Sequence, residues 1–292
     1  MTPRWSIAAL LTAVAVASLV AASRPAAGTS VRRIEGPEAR VGNGTARMFV
    51  EVGANDEPRA LGIALTEAAL TGLPARMNTT SRCWDRNADA RFSHGECLGD
   101  YQLELAPPAR MPALGLPFRW ATVNWNPEGH LPPAPEVWSA PHFDFHFFLA
   151  EPALVHGIRT GPCAEFIHCE DSARASIPLP ASHAPDGYLD VGAAVSAMGN
   201  HLVDSKDPEL ADPSRGFSHT FIYGAYDGRL IFLEPMISRA FLERRQPECR
   251  PLRPPRVYAV AGYYPTRYCV RHDPATATYR VTLEGMVRHP AG

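Results

Sequence analysis

Residues 141–149 read Pro-His-Phe-Asp-Phe-His-Phe-Phe-Leu, with ionisable and aromatic side chains alternating at a period of two. In a strand this pattern puts His142, Asp144 and His146 on one face and Phe143, Phe145 and Phe147 on the other. One face is then suited to burial and the other to binding. The aromatic density and the bracketing prolines favour a strand over a helix; in a helix His142 and His146 would stand one turn apart.

Zinc, copper and non-haem iron need imidazole or carboxylate groups converging on one point about 2 Å from the ion. Along an unbent strand His142 and His146 are about 13 Å apart, too far to share an ion, whereas neighbours on one face are about 6 to 7 Å apart. The workable pairs are therefore His142 with Asp144, or Asp144 with His146, completed from elsewhere in the chain. His201, after Met198-Gly199, and Glu234, ending the apolar run 230–233 before Pro235, are the best distant partners. A carboxylate in such a place is costly to bury unless paired or coordinated. His130, between Gly129 and a proline-rich turn, is the reserve ligand. Two or three imidazoles, one carboxylate and an open position would let a divalent zinc, copper or iron ion activate water.

The same residues also admit a structural reading. His and Asp on one strand can hydrogen-bond to each other, and Glu234 can pair with Arg239 or cap a helix; a pocket for an organic ligand is a third option. Ser218-His219 resembles a nucleophile beside a base, but strand neighbours face opposite ways and no Gly-x-Ser-x-Gly elbow occurs. The remaining histidines, His94, His156, His168, His183, His272 and His289, lie in polar or turn-like surroundings and read as solvated. Tyr263, Tyr264 and Tyr268 read as a proline-bent core edge in preference to a ligand wall. No Gly-x-Gly-x-x-Gly precedes a helix, which gives no support to a nucleotide cofactor.

The elements that must position these groups are short. The 29 prolines are spread between apolar segments, which breaks helices and favours strands and turns. Strands are expected at 46–52, 60–65, 101–105, 118–125 and 142–149. Asp227-Gly228 between two apolar runs is the strongest hairpin signal, and a final hairpin joins 268–271 to 279–283. Short helical pieces are expected at 66–70 and 238–245. The class is mainly β with a few short helices, its antiparallel sheets forming a barrel or sandwich. One β-rich domain is expected over 42–292, divisible into 42–150 and 185–292 across a polar loop region.

With 292 residues, 46% of them hydrophobic, and a net charge of -2, the chain fits a globular domain; its scattered arginines give no electrostatic footprint for nucleic acid. Arg4, the apolar run 7–22 and a small-residue site at Val20-Ala21-Ala22 match a signal peptide over 1–25, the alternative being an uncleaved anchor. A secreted or periplasmic location follows, with no stable membrane insertion after cleavage. Six cysteines in an exported chain favour disulfides. They allow fifteen connectivities, and sequence proximity suggests Cys83 with Cys97, Cys163 with Cys169, and Cys249 with Cys269.

Four blocks occur together: residues 125–130, 141–148, 198–201, and 221–224 with 232–236. In these the chain resembles an uncharacterised family of exported bacterial proteins carrying the TTHB-type domain of unknown function, known from a Thermus homo-oligomeric protein. The resemblance runs from about Gly42 to Leu283 and implies a homo-oligomer without implying an activity. Leu202 follows His201 where the family prefers Trp, and the Cys83 to Cys97 excursion is an addition. The leading expectation is an exported metal-binding protein, a metal-dependent hydrolase or lyase. Against it stands a non-enzymatic oligomeric envelope protein with a structural His/Asp/Glu network.

Overall fold

The computed structural model describes Met1 and residues 31–77, 101–130, 136–160 and 169–292. The expected signal peptide, Cys83, Cys97, Cys163 and the side chain of Cys169 lie outside the described residues. No helix among the described residues is long and apolar enough to cross a membrane.

The chain forms two seven-stranded sheets stacked as a sandwich, with no closed barrel. An outer sheet is built from both ends of the chain. Its path runs β1 (Arg32–Glu35), β3 (Gly44–Val52), β4 (Pro58–Thr66), β15 (Thr278–Glu284), β14 (Arg267–Asp273) and β12 (Glu248–Pro251), with β2 (Ala39–Val41) also on β3. The middle of the chain makes a central sheet in the order β5 (Tyr101–Leu105), β6 (Trp120–Asn126), β7 (His142–Phe148), β11 (Arg229–Ser238), β10 (His219–Tyr226), β9 (Gly199–Asp204) and β8 (Tyr188–Val195). A small ribbon pairs β13 (Gly262–Tyr264) with β16 (Val287–His289). The chain is thus divided by sheet. A division into 42–150 and 185–292 has no counterpart in the pairing, because β4 bonds to β15 and β7 to β11 across it.

Turn chemistry sets several of these registers. Asp227 and Gly228 both have positive φ, 53° and 68°, and Tyr226 faces Arg229 across a two-residue loop. That is the turn whose twist matches a hairpin. The expected helix at 238–245 shortens to α3 (Arg239–Glu243), capped by Ser238 Oγ accepting from the Phe241 amide at 3.1 Å. Residues 66–70 give a 3-10 turn over Glu67–Leu70. Cys249 and Cys269 face each other across β12 and β14 and form a disulfide.

The middle of the central sheet, β6, β7, β11 and β10, is buried on both sides, which the simple inward-and-outward reading of β7 did not anticipate. Phe143, Phe145 and Phe147 join Val123, Trp125, Tyr223 and Leu233 in the core against Val50, Leu61, Ile63 and Val281 of the outer sheet. The opposite face has its own apolar cluster. There Phe148, Phe232, Met236 and Ile222 meet Trp138, Val155 of α1 (Pro152–Gly157), Ala175 of α2 (Cys169–Ala175) and Phe217. The ionisable row of β7 therefore sits inside the protein.

Candidate metal centres

β7 lies third in the central sheet, and its two neighbours supply what its polar face needs. His142, Asp144 and His146 are opposed on β6 by Asn126, Asn124 and Thr122. On β11, Ser238 faces His142 and Met236 faces Asp144; the same register continues to Leu233 opposite Phe147, which places Glu234 across from His146. Directly opposed residues share a face. Gly224 of β10 faces both Phe232 and His201, and the Phe232 ring lies where a Cβ of residue 224 would stand, with Cε1 only 1.9 Å from that point. The ring packs edge-on to both His146 and His201, at 4.9 and 5.0 Å between centroids.

These contacts divide the expected ligands into two groups: His130, His142 and Asp144, and His146, His201 and Glu234. Within each, one ligand atom per residue lies within 4.8 Å of the others. In the first, His142 Nε2 is 3.2 Å from Asp144 Oδ1 and His130 Nε2 is 3.5 Å from Asp144 Oδ2. In the second, His146 Nε2 and His201 Nε2 stand 3.5 and 3.7 Å from the two oxygens of Glu234. All six residues anticipated from sequence take part, in two groups of three. The physical reason is the strand rise, which separates His142 from His146, while Asp144 leans to His142 and Glu234 meets His146. His130 is a full member of its group, returned to β7 by the turn at Gly129 (φ 67°) and the bond from its amide to the Trp138 carbonyl at 3.0 Å.

The ring tautomers are set from behind. His142 Nδ1 donates to the Ala140 carbonyl at 2.7 Å and His201 Nδ1 to the Ala193 carbonyl at 2.9 Å. A carbonyl only accepts, so both rings carry a proton on Nδ1, and Nε2 of the neutral His201 ring carries a lone pair. The Thr122 hydroxyl donates to Asn124 Oδ1 at 2.9 Å and accepts from His146 Nδ1 at 3.2 Å, and Asn124 in turn donates to Gln102 Oε1 at 2.9 Å. Such partners orient imidazoles that ligate metals. Asn126 Nδ2 holds Asp144 Oδ2 at 2.7 Å.

On the facing side His146 Nε2 and Glu234 Oε2 are buried without a hydrogen-bond partner, and the buried His142 Nε2 and Asp144 Oδ1 face each other at 3.2 Å. Imidazole nitrogens thus face carboxylate oxygens in the interior, an arrangement that is stable only with a proton or cation between them. Burial pulls His146 down to about 3, so its ring is neutral. Burial likewise takes His201 to about 4, against the support of its bond to Ala193. Burial, reinforced by the charge of Asp144, pushes the Glu234 carboxyl well above the usual carboxylate range. For Asp144 burial acts in the same upward sense, but His142 and His130 outweigh it and hold the carboxyl well below its ordinary value. His201 and His130 are the members with access to solvent, their side chains 14% and 32% exposed.

The competing readings of single residues also resolve. Arg239 pairs with Glu243 at 2.7 Å, so Glu234 has no guanidinium partner there. His219 bonds to Tyr268 and approaches Glu248 at 3.1 Å, while Ser218 bonds to Glu209 and Arg250; they form no nucleophile–base pair. Tyr264 stacks on Tyr258 and Tyr268 is buried, the core-edge arrangement expected. His156 and His272 are not solvated as expected. His156, on α1, contacts Glu104 at 2.8 Å, and His272, on β14, contacts Glu67 at 2.6 Å. A third cluster, Cys249, Cys269 and Glu284, is no metal site, since the sulfurs are bonded to each other. The supporting residues Thr122, Asn124 and Asn126 were not singled out from sequence, although their alternation with Val123 and Trp125 is the same period-two signal that marks β7.

No protein-family model, curated protein or solved structure matches the chain.

Proposed function

We propose that this protein binds two divalent metal ions, one at His130, His142 and Asp144 and one at His146, His201 and Glu234, and that the second centre activates water. The chemistry is that of a metal-dependent hydrolase or lyase. The observation that carries this reading is the set of buried Nε2 and carboxylate atoms facing one another inside an otherwise apolar layer. A cation satisfies all of them at once.

Two imidazoles and one carboxylate are the donor set of a catalytic zinc site with one position open. The same donors suit non-haem iron and, less characteristically, copper. Zinc is our first assignment, because neutral imidazoles presenting Nε2, each held from behind at Nδ1, are what a borderline-soft ion needs. The apolar surroundings, with Phe148 and Phe232 beside His146, would strengthen the ion's pull on a bound water. The disulfide between Cys249 and Cys269 supports an oxidising, extracytoplasmic setting.

Elemental analysis of the purified protein tests the metal reading. The expected content is two equivalents in the wild type and one in either His142→Ala or His146→Ala. A wild-type protein without stoichiometric metal would end the proposal. Hydrolase or lyase chemistry further requires turnover that disappears on chelation and in Glu234→Ala, and returns to the wild type on adding zinc.

A further inference from the structure

The solvent face of the outer sheet carries a groove of about 670 Å³ whose charged lining is Arg59, Arg267, Arg271, Arg280, Glu51 and Glu284. The pairing explains how it arises. Arg271 faces Arg280 and Arg267 faces Glu284 across β14 and β15, while Ala60 of β4 faces both Glu284 and Glu51. A small residue on β4 leaves the floor low, and the long side chains around it form the walls.

Two acids cannot neutralise four guanidinium groups. Glu284 is already committed to Arg271, to Arg267 at 3.1 Å and to the Thr282 hydroxyl at 2.8 Å. Glu51 is held by Arg33 at 2.8 Å, and Arg59 turns to Glu57 at 2.9 Å. Arg280 comes no nearer than 3.8 Å to Glu51, beyond hydrogen-bonding reach, and its Nε is buried without a hydrogen-bond partner. Like charges directly opposed on neighbouring strands, as Arg271 and Arg280 are, destabilise a sheet. A buried N–H donor with no acceptor adds to that cost. An oxyanion between the two would remove both penalties.

We propose that this groove is a binding site for a small anionic molecule, which Arg280 and Arg271 hold through a phosphate, sulfate or carboxylate group. Guanidinium groups match such oxygens in paired hydrogen bonds, and the volume is that of an ordinary small-molecule site. The site is on the outer sheet, away from both candidate metal centres on the central one. It does not depend on them.

Calorimetric titration with inorganic phosphate, sulfate, glucose 6-phosphate and glucuronate tests the assignment and separates the sources of the anionic group. At least one should bind saturably, with a dissociation constant of about 1 mM or tighter. Arg280→Ala should weaken it at least about tenfold and Arg280→Lys by less, because lysine keeps the charge but loses the fork. The same titration on chelator-stripped protein should be unchanged, which distinguishes the groove from anion capture by a metal. Arg271→Ala, at a side chain about a third exposed, is the second variant should Arg280→Ala fail the folding check by circular dichroism. No saturable binding by any of the four anions, or binding that survives both arginine replacements, overturns the proposal.

Discussion

Replacing Glu234 by glutamine separates a metal ligand from a member of a structural network. In the metal-free protein, burial and Asp144 already favour the protonated carboxyl of Glu234. An amide of the same shape should therefore change stability by no more than about 1 kcal/mol. With metal present the two proteins should diverge. At zinc one hundredfold above the dissociation constant, binding stabilises the wild type by about 2.7 kcal/mol per site, and in a chain of this size each kcal/mol is worth about 2 to 4 °C. The His146 centre should then raise the melting temperature by about 5 to 11 °C. Losing the only anionic ligand by a hundredfold affinity drop leaves about 0.4 kcal/mol, or about 1 to 2 °C, at the same zinc concentration. The His130 centre is intact in the variant and keeps its own shift, so the quantity read is the difference between the two proteins. Differential scanning calorimetry on chelator-stripped protein, with and without zinc, measures it. Equal zinc-dependent shifts would refute the assignment of Glu234 as a ligand. A metal-free variant destabilised by more than about 3 kcal/mol would show the carboxyl to be a structural partner instead.

Thr122→Val removes the hydroxyl that takes the His146 Nδ1 proton; zinc affinity at that centre should fall about 10- to 100-fold in competition with a chromophoric chelator, and unchanged affinity would remove Thr122 from its positioning role. Gly224→Ala drives a methyl into the Phe232 ring that packs against both His146 and His201. It should cost about 1 to 3 kcal/mol in urea unfolding and weaken zinc binding, with Phe232→Leu in the same chain restoring part of the stability. The pH dependence of the stripped protein has a defined sign. His146, His201 and His219 sit at about 3, 4 and 4 when folded, against 6.5 for an ordinary histidine, with burial the leading cause in each. The unfolded chain thus binds more protons, and stability is whole above pH 6.5 and lost as pH falls from there towards 4, at about 1.4 kcal/mol per pH unit for each group. Glu234 is raised and acts oppositely, losing stability as pH rises above 4.5, but it is one group against three. Melts that are flat between pH 4.5 and 6.5 would contradict the buried neutral state of these rings.

The sequence was most legible where one residue type repeats at the period of the backbone. The alternation in residues 142–148 identified β7 and its two faces, and Asp227-Gly228 identified the β10–β11 hairpin, because both signals are local. Of the six ligand candidates, three came from that alternation, His201 and His130 from their places beside glycine turns, and Glu234 from ending an apolar run. Their division into two sets was not legible, since it depends on the β7–β11 register, which joins residues about ninety positions apart in the chain. Burial of the ligand face was missed for a related reason. Period-two polarity implies water on one side only when nothing else covers the sheet, and here α1, α2 and the segment at Trp138 and Phe217 do so. Strands β8 and β9 were missed because Gly192, Ala193, Ala194 and Gly199 carry little strand preference of their own.

The outer sheet is joined in its middle, where Thr66 of β4 meets Thr278 of β15. As the chain is synthesised from its first residue, every strand of the central sheet is available before β12, β14 and β15 exist. Both imidazole–carboxylate sets belong to that earlier-completed half, whereas the arginine groove and the Cys249–Cys269 bridge wait for the last strands to arrive. A chain truncated before residue 248 would retain all six of those imidazole and carboxylate side chains. It would also leave β4 with a bare edge and the aromatic underside of β7 without the wall that β14 and β15 provide, a state prone to sticking to its own copies.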